Sequence, residues 1–145
     1  MQVAGIKKEW VGLEFDTAEF EVTEADIVSF SRAVGETDPR FLDPAHPDFQ
    51  APPTFSSRFV SRRILPEAFP HIGSRGFDAG KAVTCHAPVR AGHRLVAHSK
   101  IADVYEKTGR SGPMVFIVHR MDFTNQDGEL LSTVDWRMVR QPDLE

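Results

Sequence analysis

The sequence has little of several features that would indicate particular classes of protein. It has one cysteine, Cys85, among 145 residues, which excludes an intramolecular disulfide and a zinc site built from several cysteines. Its apolar runs are far shorter than the roughly 20 residues that a membrane-spanning helix needs. It also lacks a basic excess, because 17 Lys and Arg stand against 21 Asp and Glu, for a net charge of -4. These absences disfavour nucleic-acid partners and a membrane span, and the lone cysteine fits the reducing cytoplasm.

The overall composition is that of an ordinary globular protein. Apolar residues make up 41% of the chain and charged residues 26%. The first eight residues have no apolar core after their charges, so we expect no export signal. We find no internal repeat and no linker, and therefore predict one domain over residues 1–145.

The first half of the chain contains two predicted helices separated by a proline-rich stretch. Residues 13–22 look extended, and Thr23 followed by Asp26 is typical of a helix start. Ile27, Phe30 and Val34 then share one face before Gly35 ends the helix. Five prolines exclude regular structure from residues 36–53. Residues 54–64 are predicted to form a second helix with an apolar stripe, followed by a loop to Gly80.

The second half is predicted to be antiparallel sheet. The predicted strands cover residues 81–87, 94–105, 114–125 and 129–140. Val115, Ile117, Met121 and Phe123 should share one face, as should Leu130, Val134, Trp136 and Met138. Residues 125–128, Asn-Gln-Asp-Gly, are typical of a hairpin turn. Long strands that follow helices predict an α+β fold.

Several residues could carry chemistry, each with a simpler structural explanation. The six histidines have no metal-ligand spacing, which favours solvated or hydrogen-bonded histidines over a metal site. Cys85 is expected to be a small buried strand residue, because nothing marks a lowered thiol pKa. Lys107 and Arg110 flank a Gly-containing connector that could meet phosphates, although such connectors are usually solvated turns. No phosphate-binding loop of the Walker type is present.

An acidic cluster follows the first predicted helix. Glu36, Asp38 and Asp43 lie within eight residues on a loop between the two predicted helices, and could supply a general base. A turn in which Asp38, before Pro39, bonds its own backbone is the interpretation that the spacing alone favours.

Five motifs in order resemble the MaoC-like hydratase/dehydratase family of hot-dog proteins. They are residues 35–39 (Gly-Glu-Thr-Asp-Pro), 51–55 (Ala-Pro-Pro-Thr-Phe), 88–92 (Pro-Val-Arg-Ala-Gly), 107–114 and 123–129. Within that family the chain is most similar to the fatty-acid-synthase-type dehydratase N-terminal domain, a group that includes non-catalytic subunits of mycobacterial 3-hydroxyacyl thioester dehydratases. The resemblance covers roughly residues 10–140.

The resemblance implies a fold and a class of reaction. The implied fold is an antiparallel sheet wrapped around a central helix, here expected at residues 54–64, with two units pairing into a double hot dog. Family members add or remove water across C2 and C3 of acyl thioesters of coenzyme A or acyl carrier protein, at a site on the pairing surface. The resemblance implies no cofactor. It also implies that the chain belongs to a cytoplasmic lyase of fatty-acid metabolism.

The chain departs from the family at the catalytic segment. Catalytic members carry Gly-Asp-x-Asn-Pro-x-His, and the matching positions here are Glu36 for Asp, Asp38 for Asn and Phe41 for His. Phenylalanine can neither accept nor donate a proton, so the usual dyad cannot form from this chain alone. Pro52 and Pro53 also lack backbone donors near the expected central helix, which leaves the amides of Thr54 and Phe55.

The implied function is therefore a subunit of an (R)-specific 3-hydroxyacyl-thioester dehydratase or enoyl-CoA hydratase, inactive alone and completed by a catalytic MaoC-like partner. Two alternatives stay open: a self-sufficient homodimeric thioesterase using Glu36, Asp38 or Asp43 as base, and a non-catalytic acyl-thioester-binding module. Glu36 and Asp38 are the candidate catalytic positions. Candidate substrate-binding residues are Phe41, Thr54, Phe55, Phe59, Arg58 and Arg110, with Trp136 as further lining and Arg62 and Lys107 as weaker phosphate contacts. Another histidine of this chain facing Glu36 in the cleft would overturn the argument.

Overall fold

The computed structural model describes residues 3–143 and confirms an α+β architecture with one antiparallel sheet. Its helices are α1 (Val3–Trp10), α2 (Glu24–Ala33) and α3 (Pro39–Leu42), followed by one 3₁₀ turn (Phe55–Arg58). Its strands are β1 (Glu14–Glu21), β2 (Arg75–Cys85), β3 (Arg94–Gly109), β4 (Gly112–Thr124) and β5 (Leu130–Gln141). The strand order is β1-β3-β4-β5-β2, so β1 and β2 form the two edges.

Helix α2 forms where its capping residues predict it. The Thr23 hydroxyl accepts a hydrogen bond from the Asp26 amide at 3.1 Å, and the acidic side chains of the first turn favour the helix's positive end. Gly35 takes a φ of +78°, a conformation that residues with a Cβ avoid, and so ends the helix. Ile27 is fully buried against the sheet.

Removal of the Thr23 hydroxyl should destabilise the fold measurably. We expect Thr23→Ala to lower the free energy of unfolding by about 1 kcal/mol, because the Asp26 amide then has no protein partner at the helix start. Urea unfolding followed by circular dichroism measures this. Thr37→Ala is the control, because Thr37 is exposed and its hydroxyl makes no hydrogen bond within residues 3–143. Equal losses in the two variants would contradict the capping role.

The predicted helix over residues 54–64 is wrong beyond its first turn. Only Phe55–Arg58 is helical, and the Ser57 hydroxyl donates to the Thr54 carbonyl at 2.6 Å, a local bond that competes with helix formation. The Asp16 carboxylate then accepts from the amides of Arg62 and Arg63, at 2.8 and 3.1 Å. These amides are bound by a distant strand and not by the preceding turn. The central helix is therefore not formed by residues 54–64, and α2 is the helix that packs against the sheet.

Several element boundaries also differ from prediction. Strand β2 begins at Arg75 and not at Lys81, and it includes an irregularity between Asp78 and Lys81 where Gly80 has a φ of +96°. Strand β3 extends to Gly109, so the Gly-containing connector between β3 and β4 is a tight turn. The proline-rich stretch contains the one-turn helix α3, because Pro39 suits a first helical position and Asp38 caps it. The turn over residues 125–128 is confirmed.

Two apolar clusters fill the face of the sheet that the helices and the 3₁₀ turn cover, called here the covered face. The first lies beneath α2 and the 3₁₀ turn and includes Ile27, Phe55, Phe59, Leu95 and Phe123. The second lies beneath α1 and residues 65–72 and includes Ile72, Ile101, Val104, Val115, Ile117 and Met138. Leu130 was expected on this face but is 39% exposed, because the β4–β5 register shifts beside it. No helix within residues 3–143 is long and apolar enough to cross a membrane.

Candidate active site

A cleft of about 320 Å³ opens at one end of the covered face, where β2 ends and β5 begins. Three segments of the chain form its walls: α3, the residues before and within the 3₁₀ turn, and the turn that follows β2. Its lining residues are Arg40, Phe41, Gln50, Ala51, Pro52, Pro53, Ser56, Cys85, His86, Ala87, Pro88, Val89 and Ser132. Three of the five sequence motifs therefore meet at this cleft or beside it.

Phe41, at the position where the resemblance leads us to expect a histidine, points into the interior and lines the cleft. It is 8% exposed, and the Arg40 guanidinium lies over its ring at 5.1 Å from the centroid. Such a contact is attractive because the ring face is electron-rich. An apolar ring with a stacked cation thus occupies the place where proton transfer would need an imidazole.

The Asp38 carboxylate has a structural role, because it is hydrogen-bonded to Arg40 within its own turn. Its carboxylate accepts from the Arg40 amide at 3.0 Å and from two Arg40 side-chain nitrogens at 3.1 and 2.9 Å. These hydrogen bonds to Arg40 hold the pKa of Asp38 below its ordinary value of 3.8, which makes the carboxylate a weak base. The backbone turn that the spacing favoured is confirmed.

Glu36 lies outside the cleft lining. Its amide donates to the Ser31 carbonyl at 2.9 Å at the end of α2, and its side chain is half-buried. No carboxylate within residues 3–143 lines the cleft.

The floor of the cleft contains a buried pair of hydroxyls that sequence patterns did not indicate. The Ser56 and Ser132 hydroxyl oxygens lie 2.7 Å apart, and both residues are 1% exposed. They come from the 3₁₀ turn and from β5, 76 positions apart, so no local pattern could have linked them. The expected Phe55 amide donor is not free, because it bonds the Pro52 carbonyl at 3.0 Å.

His86 is the one histidine that lines the cleft within the part of the chain described. Its ring Nε2 lies 3.1 Å from the Thr133 hydroxyl, which donates to Asp122 at 2.6 Å. This chain of contacts does not involve Glu36, so the argument from Phe41 stands. Cys85 lines the cleft as an exposed residue and not as the predicted buried one, and its thiol contacts the Pro53 carbonyl at 3.2 Å. Partial burial raises the thiol pKa, which disfavours a nucleophile.

Most of the predicted substrate-binding residues lie elsewhere. Phe55 and Phe59 are core residues of the first cluster, where their rings pack against those of Phe20, Phe30 and Phe123. Arg58 lies 3.6 Å from Asp26 on α2, and Thr54 is exposed beside the lining.

Three further candidates lie towards the other end of the sheet. Trp136 packs against the second cluster and donates to Asp78 at 3.0 Å. Arg110 and Lys107 lie at the β3–β4 turn, eleven positions along β4 from Phe123 and so roughly 35 Å from the cleft. Sequence distance alone could not show this separation.

The motif at residues 88–92 connects two loops through hydrogen bonds. Arg90 donates to the Phe49 carbonyl at 3.0 Å and to the Asp48 carboxylate at 2.9 Å. The loop that follows α3, the helix that holds Phe41, is thereby fixed to the turn after β2. Within residues 3–143 no group of three His, Cys, Asp or Glu side chains is arranged to hold a metal ion.

Comparisons with known proteins agree with this architecture. Residues 9–134 match the family model described as FAS1-like, dehydratase domain region. A UPF0336 protein from Parafrankia sp. is 30% identical over 138 residues, covering 88% of this chain and 89% of the relative. The HadBC (3R-hydroxyacyl-ACP dehydratase) complex of Mycobacterium tuberculosis is 24% identical with a TM-score of 0.67, covering 92% of this chain and 99% of the other. A MaoC-like dehydratase from Rhodospirillum rubrum is 20% identical with a TM-score of 0.65, covering 95% and 97%.

The five-stranded sheet with its covering helix is the hot-dog fold of these MaoC-like structures. The cleft lies beside residues 35–41, which were singled out above for their resemblance to a catalytic motif. The chain belongs to the FAS1-like dehydratase-region family.

Proposed function

We propose that this chain is a non-catalytic subunit of an (R)-specific 3-hydroxyacyl-thioester dehydratase or enoyl-CoA hydratase, which a catalytic hot-dog partner completes. The observation that carries the proposal is the composition of the cleft, which pairs Phe41 with Arg40 and is lined by no carboxylate within residues 3–143. Removal of the C2 proton and transfer of water both need a positioned base and acid. The partner therefore supplies both.

The free edge of β2 supports a protein partner. Among residues 3–143, strand β2 bonds only β5, and none of its residues is buried, so a row of backbone donors and acceptors faces outward along the other side. Such an edge accepts a strand from another chain. Phe77 on this strand is 52% exposed. Because Cys85 ends β2 at the cleft, a partner bound along β2 would close the cleft and complete a double hot dog.

In this scheme the chain binds and shields substrate. The acyl thioester, carried by coenzyme A or acyl carrier protein, would use the apolar part of the cleft and the Ser56–Ser132 hydroxyl pair. No cofactor is needed, because a thioester carbonyl acidifies the C2 proton once donors stabilise the enolate oxygen. The single exposed cysteine suits a cytoplasmic site.

Reconstitution tests the proposal. The purified chain should not hydrate crotonyl-CoA, and turnover should appear when it is co-purified with a hot-dog partner carrying Asp-x-Asn-Pro-x-His. The control is the same complex with that partner's histidine replaced by alanine, which should be inactive. Robust turnover by the lone chain would contradict the proposal.

A thiol-release assay separates the alternatives. Release of free thiol from acyl-CoA, abolished by Glu36→Gln or Asp38→Asn, would indicate a self-sufficient thioesterase. Thioester binding without turnover in every partner combination would leave a binding module.

A further inference from the structure

Two buried polar side chains near the middle of the covered face have no hydrogen-bond partner within residues 3–143. The Ser99 hydroxyl and both ring nitrogens of His119 make no well-aligned hydrogen bond, although the Ile64 backbone lies close enough to the imidazole to raise its pKa. The two residues are 0% and 1% exposed. They lie outside the cleft described above. Roughly nine in ten buried polar groups of proteins are paired, so three such atoms on two buried residues need an explanation.

Strand register places these residues in adjacent rows of the same face. Ser99 on β3 lies between Asp16 on β1 and Met121 on β4, and His119 on β4 lies between Ile101 and Trp136. Met121 belongs to the first apolar cluster and Ile117 to the second, so His119 lies between the two clusters.

Aromatic rings surround the imidazole. The Phe15 ring meets it edge-on at 5.1 Å between centroids, and the Trp136 ring lies at 6.3 Å. The surroundings are thus mostly apolar, and the polar groups that act on the imidazole are the Ile64 backbone and the charged side chains of Asp16 and Lys81.

The unpaired atoms define a complementary ligand. A neutral imidazole offers one donor and one acceptor, and a serine hydroxyl offers both. Burial keeps the imidazole neutral, because it lowers the pKa of His119. A hydroxyl or carbonyl oxygen on an apolar body would satisfy these atoms and fill the apolar surroundings.

Residues 59–65, which lie over Ser99 and His119, are attached to the sheet by few hydrogen bonds. Residues 59–65 have no regular structure, and the amides of Arg62 and Arg63 are held by one oxygen of Asp16. Val60 and Ile64 on this segment are 60% and 43% exposed, so much of their apolar surface contributes nothing to holding it down. Breaking the two bonds to Asp16 would loosen the middle of the segment, whereas Phe59 and Leu65 at its ends stay packed in the two apolar clusters.

We propose that Ser99 and His119 form a second binding site, closed in this structure by residues 59–65, for a small apolar molecule that carries a hydroxyl or carbonyl oxygen. Asp16 is the latch that holds the site shut. The proposal is independent of the function proposed above, because it uses none of the cleft residues.

Nitrogen NMR of histidine side chains tests the site in the full chain, with His119→Phe to assign the His119 signals. Cyclohexanol should shift both ring nitrogens of His119 saturably, whereas cyclohexane, the same body without oxygen, should bind at least about tenfold more weakly. Ser99→Ala should weaken cyclohexanol binding by about the same factor. Asp16→Ala should speed binding, and Glu19→Ala, an exposed acidic residue on the same strand, should not.

Fluorescence of Trp136 in a Trp10→Phe background gives a second measurement that keeps Ser99, His119 and Asp16 unchanged. Saturable quenching by cyclohexanol that exceeds quenching by cyclohexane supports the site. Unchanged His119 signals, equal responses to the two probes, or a bound water that cyclohexanol does not displace would overturn the proposal.

Discussion

Phe55→Ala is expected to lower the free energy of unfolding by about 3–5 kcal/mol. The ring is 1% exposed and meets the rings of Phe30 and Phe59 edge-on, each at 5.5 Å. Truncation removes these contacts and leaves a cavity between α2, the 3₁₀ turn and the sheet. Because domains of this kind are stable by about 5–15 kcal/mol, the variant would lose a large fraction of its stability.

Chemical unfolding followed by circular dichroism measures this loss, and Phe77→Ala is the matched control. Phe77 is 52% exposed on β2, so its truncation should cost less than about 1 kcal/mol in the isolated chain. A loss below about 1 kcal/mol for Phe55→Ala would mean that the 3₁₀ turn does not pack as described.

Acid should destabilise the protein through His119. Burial lowers the pKa of this imidazole from its ordinary 6.5, Lys81 acts in the same direction, and the Ile64 backbone and Asp16 oppose it. The unfolded chain therefore binds one more proton than the folded chain between the lowered pKa and 6.5. The contribution of His119 to stability is complete above pH 6.5 and is lost as the pH falls below it.

His119→Phe should remove this share of the acid sensitivity. In wild type, His119 should add a slope of at most about 1.4 kcal/mol per pH unit just below pH 6.5, and the variant should have a shallower slope. The variant should also be more stable at pH 5.5, because an apolar ring replaces an unpaired imidazole. Urea unfolding at half-unit pH intervals measures both effects.

A second histidine and several carboxylates also contribute to the pH dependence of stability, and their contributions must be distinguished from that of His119. Burial and Arg90 lower the pKa of His93, so His93→Gln measures its share in the same window. Asp38 and Asp48 have pKa values held below 3.8 by Arg40 and Arg90, so their contributions are lost only as the pH falls below about 4. An unchanged slope in His119→Phe would contradict the burial of a neutral imidazole.

Local patterns predicted the elements whose ends and faces local chemistry sets. Thr23 and Gly35 bound α2 as capping rules require, and alternation on β4 placed Val115, Ile117, Met121 and Phe123 on one face. The helix predicted at residues 54–64 was wrong because Asp16, about 46 positions earlier, binds the amides of Arg62 and Arg63. The apolar spacing of residues 54–64 does not indicate a contact with a carboxylate so far away in the sequence.

The sequence by itself determined the fold class, the family resemblance and the absence of an imidazole at Phe41, because residue type and order are sufficient for each. The tertiary structure alone decided which side chains meet. It joined Ser56 to Ser132 and left Ser99 and His119 unpaired, and it separated Arg110 from the cleft. Strand register and the path of irregular segments decide such contacts, and both depend on the summed packing of the whole chain.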